Sequence, residues 1–289
     1  MRRILVTGAN KGIGLAIVEA ILREHEDTFV FMGARDPARG EHARAGLLEA
    51  RPEWEPRVRV VELDVTRDAS VRAATTAVAG APLYAVVNNA GIGRSAGGLK
   101  AVLEVNTFGL RRVCEAFLPL LDPSSGRIVN VTSASGPSFV ARCSEERRRL
   151  FTDPRTDWPA LVALMDECLA LGEDAEAFAA RGLGDGDAYG LSKACANTYT
   201  QRLALEHPSL RINACTPGFI ETDMTRPYAE ARGESPAAMG MKPPSEGARC
   251  PLFLLFGEPE GNGRFYGSDA KRSPLDRYRS PGSPAFTGA

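Results

Sequence analysis

Residues 3 to 14 read "RILVTGANKGIG": an apolar run, then Gly8, Gly12 and Gly14 in quick succession, then a helical pattern that continues to residue 25. Such a run ending in a glycine turn and a helix predicts strand, tight turn and helix as the first unit of an α/β chain. Glycine suits the turn because the backbone must reverse sharply there and come close to whatever lies above it. A helix that starts at this point offers free N–H groups and a partial positive charge to a pyrophosphate. The Gly-x3-Gly-x-Gly spacing differs from GxGxxG and is no P-loop, so a plain structural turn stays open as the alternative.

The same alternation recurs along the chain: "TFVFMGA" (28 to 34), "RVRVVELD" (57 to 64), "LYAVVNNAG" (83 to 91), "GRIVNVTS" (126 to 133), "LRINACTPG" (210 to 218) and "GRFYG" (263 to 267). Helical patterns fall between them, near residues 37 to 51, 68 to 79, 98 to 120, 187 to 206 and 245 to 257. Nearly continuous apolar strands, each followed by a helix, predict a doubly wound Rossmann-type α/β fold with about seven parallel strands in one domain, residues 1 to 266. Two stretches depart from the rhythm. Residues 141 to 187 form a polar, charge-mixed insertion in which Leu161, Met165, Cys168 and Leu169 share a helical face, so the insertion packs a helix on the domain. Residues 267 to 289, rich in Gly, Ser, Pro and Arg, read as a disordered tail.

Composition narrows the function classes. A net charge of −1 and a pI near 6.4 argue against nucleic acid or an anionic membrane as the main partner. Six cysteines without a CxxC pair and three scattered histidines suggest neither a metal site nor a disulfide framework, so the cysteines read as reduced, buried small hydrophobes. No apolar run approaches the ~20 residues of a membrane helix. The expectation is a cytoplasmic protein with no membrane partner.

The second strand ends in Ala34 and Arg35, with Arg39 one turn further and Lys11 in the glycine loop. Cations at that position welcome a 2′-phosphate, whereas a carboxylate would hold a ribose hydroxyl, so the pattern favours NADPH. Asp36 is the complication, because it can pair with Arg35 or sit where the ribose lies. Further on, "DAYGLSKAC" (187 to 195) sets Tyr189 and Lys193 four residues apart, on one face of a helix. Alone, that pair reads as a packing tyrosine and a solvated lysine.

Around it stand "LDV" (63 to 65), "NNAG" (88 to 91), "VNTFG" (105 to 109), "NVTSASG" (130 to 136) and "CTPGFIETDM" (215 to 224). In this order the set resembles the short-chain dehydrogenase/reductase family over residues 3 to 266. "GANKGIGLAIV", "ARDPARG", "NACTPGF" and the 56-residue separation of Ser133 from Tyr189 resemble its monomeric, NADPH-dependent carbonyl reductases.

The resemblance implies roles. Tyr189 is the general acid that protonates a carbonyl oxygen, and Lys193 lowers its pKa from the free value near ~10 while binding ribose hydroxyls. Ser133, rather than its neighbour Ser135, steadies the developing oxyanion. Asn106 completes a tetrad by holding a water, or simply bonds backbone inside its helix. Gly8, Asn10, Lys11, Gly12, Ile13 and Gly14 form the phosphate turn, with Arg35 and Arg39 at the 2′-phosphate. Asp64 and Val65 contact adenine, though Asp64 also suits a helix cap. Asn88, Ala90 and Gly91 line the cofactor groove, unless Asn88 and Gly91 are only turn residues. Pro217, Gly218 and Thr222 seat the nicotinamide end, while Phe219 and Met224 join Ser133 and Tyr189 in facing the substrate.

Thr216 stands where such reductases often have a second cysteine, and Phe219 where they have tryptophan. Small Ala134 and Ser135 suggest a roomier or more polar pocket. The insertion either covers a pairing surface and leaves a monomer, or is a tolerated surface loop. Three functions follow: reduction of ketones, aldehydes or quinones with NADPH; an NADP-dependent alcohol dehydrogenase acting on one terpenoid, steroid or alkaloid; or a catalytically silent dinucleotide sensor.

Overall fold

Strands and helices alternate through residues 1 to 288, the part of the chain that the computed structural model describes. The first half contains β1 (Arg2–Thr7), α1 (Gly12–Glu24), β2 (Thr28–Ala34), α2 (Pro37–Ala50), β3 (Val58–Glu62), α3 (Asp68–Val78), β4 (Ala85–Asn88), α4 (Gly98–Leu103), α5 (Leu110–Phe117) and β5 (Arg127–Val131). Helices α6 (Ser135–Ala141), α7 (Glu145–Thr152), α8 (Trp158–Leu171), α9 (Ala175–Ala180) and α10 (Ala188–Glu206) come next. The chain continues through β6 (Arg211–Cys215), α11 (Arg226–Glu230), α12 (Pro244–Phe256), β7 (Phe265–Tyr266) and β8 (Arg272–Ser273).

The strands form one sheet in the order β3-β2-β1-β4-β5-β6-β7-β8. The seven expected strands pair in parallel, and β8 adds an antiparallel edge against β7. Successive strand residues face opposite sides, so each strand feeds two cores. Leu5, Phe31, Val86 and Ile128 face the side of α3, α5 and α10, whereas Ile4, Val30, Val87 and Val129 face α1 and α12. Chain direction across the sheet reverses between β1 and β4, which opens a crevice at their C-terminal ends. No helix among the described residues is long and apolar enough to cross a membrane.

Three helices of the insertion, α7 to α9, bury Phe151, Leu161, Leu164, Met165, Cys168 and Phe178 in the same cluster as Leu191 and Cys195 of α10. Leu164 takes the buried place expected of Leu169, which is only partly covered. Trp158 meets Tyr199 of α10 edge-on at 5.7 Å and Phe108 at 5.4 Å, with Arg111 over its ring at 4.5 Å. One outer face of α10 is therefore covered by the chain itself. All six cysteines are free and buried.

Residues 267 to 288, expected from composition as a disordered tail, make specific contacts. Asp269 and Arg279 pair with little exposure, 20% and 7%, and Arg279 Nη1 donates to the Ser283 carbonyl at 2.8 Å. Gly282 N donates to the other carboxylate oxygen at 3.1 Å, and Phe286 lies under Arg272 and Arg277. The segment thus holds a partly buried ion pair, with Pro274 buried nearby, despite its polar composition. Arg279→Ala leaves Asp269 buried without its partner, and is expected to lower the unfolding free energy by about 3 kcal/mol. Urea titration measures this, and an unchanged midpoint would show that the segment adds nothing to the fold.

Candidate active site

The glycine turn sits at the crevice between β1 and β4. Gly8 and Gly12 have φ of +63° and +55°, where a side chain would strain the backbone. A Cβ on Gly14 would lie 2.3 Å from the Gly8 carbonyl oxygen and 2.5 Å from Asn89 Nδ2, so this position admits no side chain. Asn89 clamps the turn by donating from Nδ2 to the carbonyls of Thr7 and Gly8, at 3.0 and 3.2 Å. Thr7 Oγ1 in turn accepts the N–H groups of Asn89 and Ala90, which ties the ends of β1 and β4 together. At the start of α1, Lys11 makes no side-chain cap, so the first-turn N–H groups stay available to an anion.

Several expected cofactor residues sit differently. The Asn88 side chain is buried, with Nδ2 donating to Asn130 Oδ1 at 2.9 Å, and Asn130 continues to Thr200 Oγ1 at 2.8 Å. It joins a polar chain beneath the sheet face rather than lining the groove. Its neighbour Asn89 takes the groove-side role, a distinction that turns on the last residue of β4 and the strand's alternation. Asp64 Oδ1 accepts from Thr66 N and Thr66 Oγ1 at 3.0 and 2.7 Å, closing a local turn ahead of α3. The Val65 carbonyl accepts from Arg112, and Cγ2 of its side chain would be 2.8 Å from a Cβ on Gly109.

Asp36 neither takes Arg35 nor stands free. It caps α2, accepting from Ala38 N and Arg39 N, and its carboxylate lies 3.4 Å from Arg39 Nε. Arg35 and Arg39 are exposed beyond β2. Lys11 pairs with Asp223 at 2.7 Å across the groove, and a Cβ on Gly12 would touch Thr222 at 3.4 Å. The loop after β6 thus lies against the glycine turn. Gly218, at φ +96°, backs onto Ser268 from the C-terminal segment. Asn10 and Ile13 are part-buried in the turn, as Ala90 and Gly91 are beyond β4 and Pro217 is beyond β6.

The catalytic candidates converge at the C-terminal end of β5. Asp187 accepts from Gly190 N at 3.1 Å and starts α10, a helix buried almost throughout residues 190 to 200. Lys193 is 4% exposed and donates from Nζ to the Val131 carbonyl at 3.3 Å, with the Tyr189 ring centroid 5.6 Å away. A Cβ on Gly91 would lie 3.2 Å from Asn106 Oδ1 and 3.5 Å from Lys193 Nζ, which places all three together. Asn106 sits in a π-helical turn, Glu104–Gly109, a local widening common at functional sites. Its amide binds the backbone of Ile92 in both directions, at 2.9 and 3.0 Å, and donates to Ser192 Oγ at 3.1 Å. The side chain therefore holds the loop after β4 against α10.

Ser133 Oγ accepts from Ser135 N at 3.1 Å and interacts with the Tyr189 phenol. Ser135 Oγ is 3.3 Å from that of Ser133, so the second serine buttresses the first. Burial pushes the Tyr189 phenol up to about 12, and the Ser133 hydroxyl opposes the shift. Burial also lowers Lys193 to about 8. Desolvation by burial, rather than the charge of Lys193, is the largest influence on the Tyr189 phenol. At neutral pH the pair is a neutral phenol beside a cation.

Met224 packs over Gly93, where a Cβ would come within 2.8 Å of its Cγ. Phe219 is 42% exposed at the surface, and Tyr228, which the sequence motifs do not single out, is close enough to raise the Tyr189 pKa. Among the described residues, no cluster of three or more His, Cys, Asp or Glu suits a metal ion.

This geometry has counterparts in known proteins. A family described as short chain dehydrogenase matches residues 2 to 144. The chain is 33% identical over 279 residues to carbonyl reductase (NADPH) 1 from Pongo abelii, covering 91% of this chain and 94% of the relative. Salutaridine reductase from Papaver somniferum superposes with a TM-score of 0.75 at 25% identity, over 92% of this chain and 99% of that one. Menthone neomenthol reductase from Mentha piperita gives 0.72 at 27% identity, over 92% and 98%.

Proposed function

Because the chain belongs to the short-chain dehydrogenase/reductase family, we propose that it reduces ketones, aldehydes or quinones to alcohols with NADPH, and that Tyr189 is the acid. The observation that carries this reading is the meeting of Ser133, Tyr189, Lys193 and Asn106 beside a glycine turn whose uncapped N–H groups suit an anion. The turn fits a dinucleotide: side chains are excluded at Gly14, Arg35 and Arg39 stand exposed beyond the end of β2, and Lys11 lies in the glycine loop, paired with Asp223. Lys11 and the α1 N-terminus would hold phosphate, Arg35 and Arg39 the 2′-phosphate, and Lys193 the ribose hydroxyls. NADPH, when bound, supplies the hydride.

The protein's own groups supply the rest. Ser133 Oγ, fixed by Ser135 N, donates its proton toward a carbonyl oxygen and stabilises the negative charge that develops there. Tyr189, kept protonated by burial, gives its phenolic proton to that oxygen. Lys193 stabilises the resulting phenolate from a site 4% exposed, where its charge is poorly screened. Met224 shields the pocket side at Gly93. The insertion's cover over α10 supports a monomer, and the six buried free thiols suit a reducing cytoplasm.

A panel of ketones, aldehydes and quinones offered with NADPH, and with NADH in parallel, tests the reading. NADPH consumption with some members is expected, and consumption with none would end it. One strongly preferred substrate would favour the specialist alcohol dehydrogenase reading, which the similarity to salutaridine and menthone neomenthol reductases keeps in view.

The pH dependence has a definite sign. Lys193 is charged below about pH 8 and neutral above it, while Tyr189 stays protonated up to about 12. The kcat/KM for reduction is therefore expected to fall as pH rises through about 8. A profile that stays flat through that value would contradict the role given to the lysine.

A further inference from the structure

Asp187 lies two residues before Tyr189, and its side chain is 13% exposed. Besides capping α10, Oδ1 receives Arg94 Nη2 at 2.6 Å from the loop after β4. Arg142, at the end of α6, stands further off: its Nη2 is 3.6 Å from Asp187 Oδ2 and 3.0 Å from Asp185 Oδ1. Arg94 is thus the close partner of a nearly buried carboxylate on the tyrosine's own helix. The same loop carries Gly91, beside Lys193, and Gly93, beneath Met224.

We propose that Arg94 is a positioning residue for Tyr189: its bridge to Asp187 ties the loop after β4 to the first turn of α10 and cancels the carboxylate charge beside the phenol. The inference rests on the reading of Tyr189 as the acid. Five elements present charged or titratable groups here: Asp187 and Lys193 from α10, Arg94 from the loop after β4, Arg142 from the end of α6, Asp185 from the segment before α10, and Tyr228 from α11. Asp187 and Tyr228 disfavour the phenolate, and Ser133 favours it. Asp187, Tyr228 and Asp185 all strengthen the charge on Arg94. An uncompensated Asp187 would oppose the one charge the reaction places on Tyr189.

Four variants isolate the effect: Arg94→Gln, Arg94→Lys, Asp187→Asn and the double variant Arg94→Gln/Asp187→Asn. Asparagine caps a helix as well as aspartate does, so Asp187→Asn removes charge without removing the cap. Oxidation of the product alcohol with NADP⁺ requires the phenolate, so its kcat/KM rises with pH until Lys193 loses its charge at about 8. Arg94→Gln is expected to move that rise upward by about half a pH unit or more, and Asp187→Asn to move it downward. Arg94→Lys should stay near wild type, and the double variant should lose the upward shift. Phenol titration by 13C NMR, with the Cζ resonance assigned by Tyr189→Phe, gives the same order without turnover. Should the wild type show no turnover while NMR keeps that order, the reductase reading falls and the bridge stands. Unchanged profiles in Arg94→Gln, or an upward shift that persists in the double variant, would overturn the proposal.

Discussion

Tyr189→Phe is expected to bind NADPH as the wild type does and to lose about a thousandfold in kcat, within the range contributed by a positioned general acid. The ring and its packing remain, including the approach of Lys193 Nζ to 5.6 Å from the centroid. Only the proton donor is gone. Fluorescence titration with NADPH and steady-state kinetics on one responsive carbonyl separate the two quantities. Activity near wild type would move the acid elsewhere in the site.

Gly14→Ala should act on the opposite parameter. Its new methyl would overlap the Gly8 carbonyl and Asn89 Nδ2, and Asn89 holds the turn through the Thr7 and Gly8 carbonyls. Relief requires either the turn or its clamp to move. Overpacking of this kind costs ~1–3 kcal/mol, and the same cost falling on the bound state weakens NADPH about tenfold to a hundredfold. Gly46→Ala is the control, because nothing lies within 4 Å of its added methyl. Equal NADPH affinity in the two variants would show that the turn does not contact the cofactor.

These expectations rest on features that differ in how readily a sequence discloses them. The parallel strands are readable because each is a short apolar run closed by a turn, and burial on both faces demands that pattern. The meeting of Ser133, Tyr189, Lys193 and Asn106 follows from ordered motifs, once a sheet carries them to one edge. Asn88 and Asn89 are harder, since they are the same residue type and only the parity at the end of β4 decides which faces the groove. Asp36 and Asp64 are drawn into local turns and caps that compete with a cofactor for the same oxygens. Arg94 and Asp187 lie far apart in the chain, so nothing short of the fold joins them. The segment from residue 267 has too little apolar content to signal order, and its Asp269–Arg279 pairing is equally invisible to composition.

The insertion also bears on how the chain reaches this fold. With residues 141 to 187 present, the connection from β5 to its neighbour β6 is more than twice as long as it would be without them. Closure entropy grows only with the logarithm of loop length, so the extra chain costs about 0.8 kcal/mol. Burying Phe151 or Phe178 alone, each 1% exposed, contributes about 1.5–3 kcal/mol, which exceeds that cost. The thermodynamic penalty is slight, and the kinetic one is larger: β5 and β6 must find each other across a long separation, so their pairing is expected among the late steps of folding.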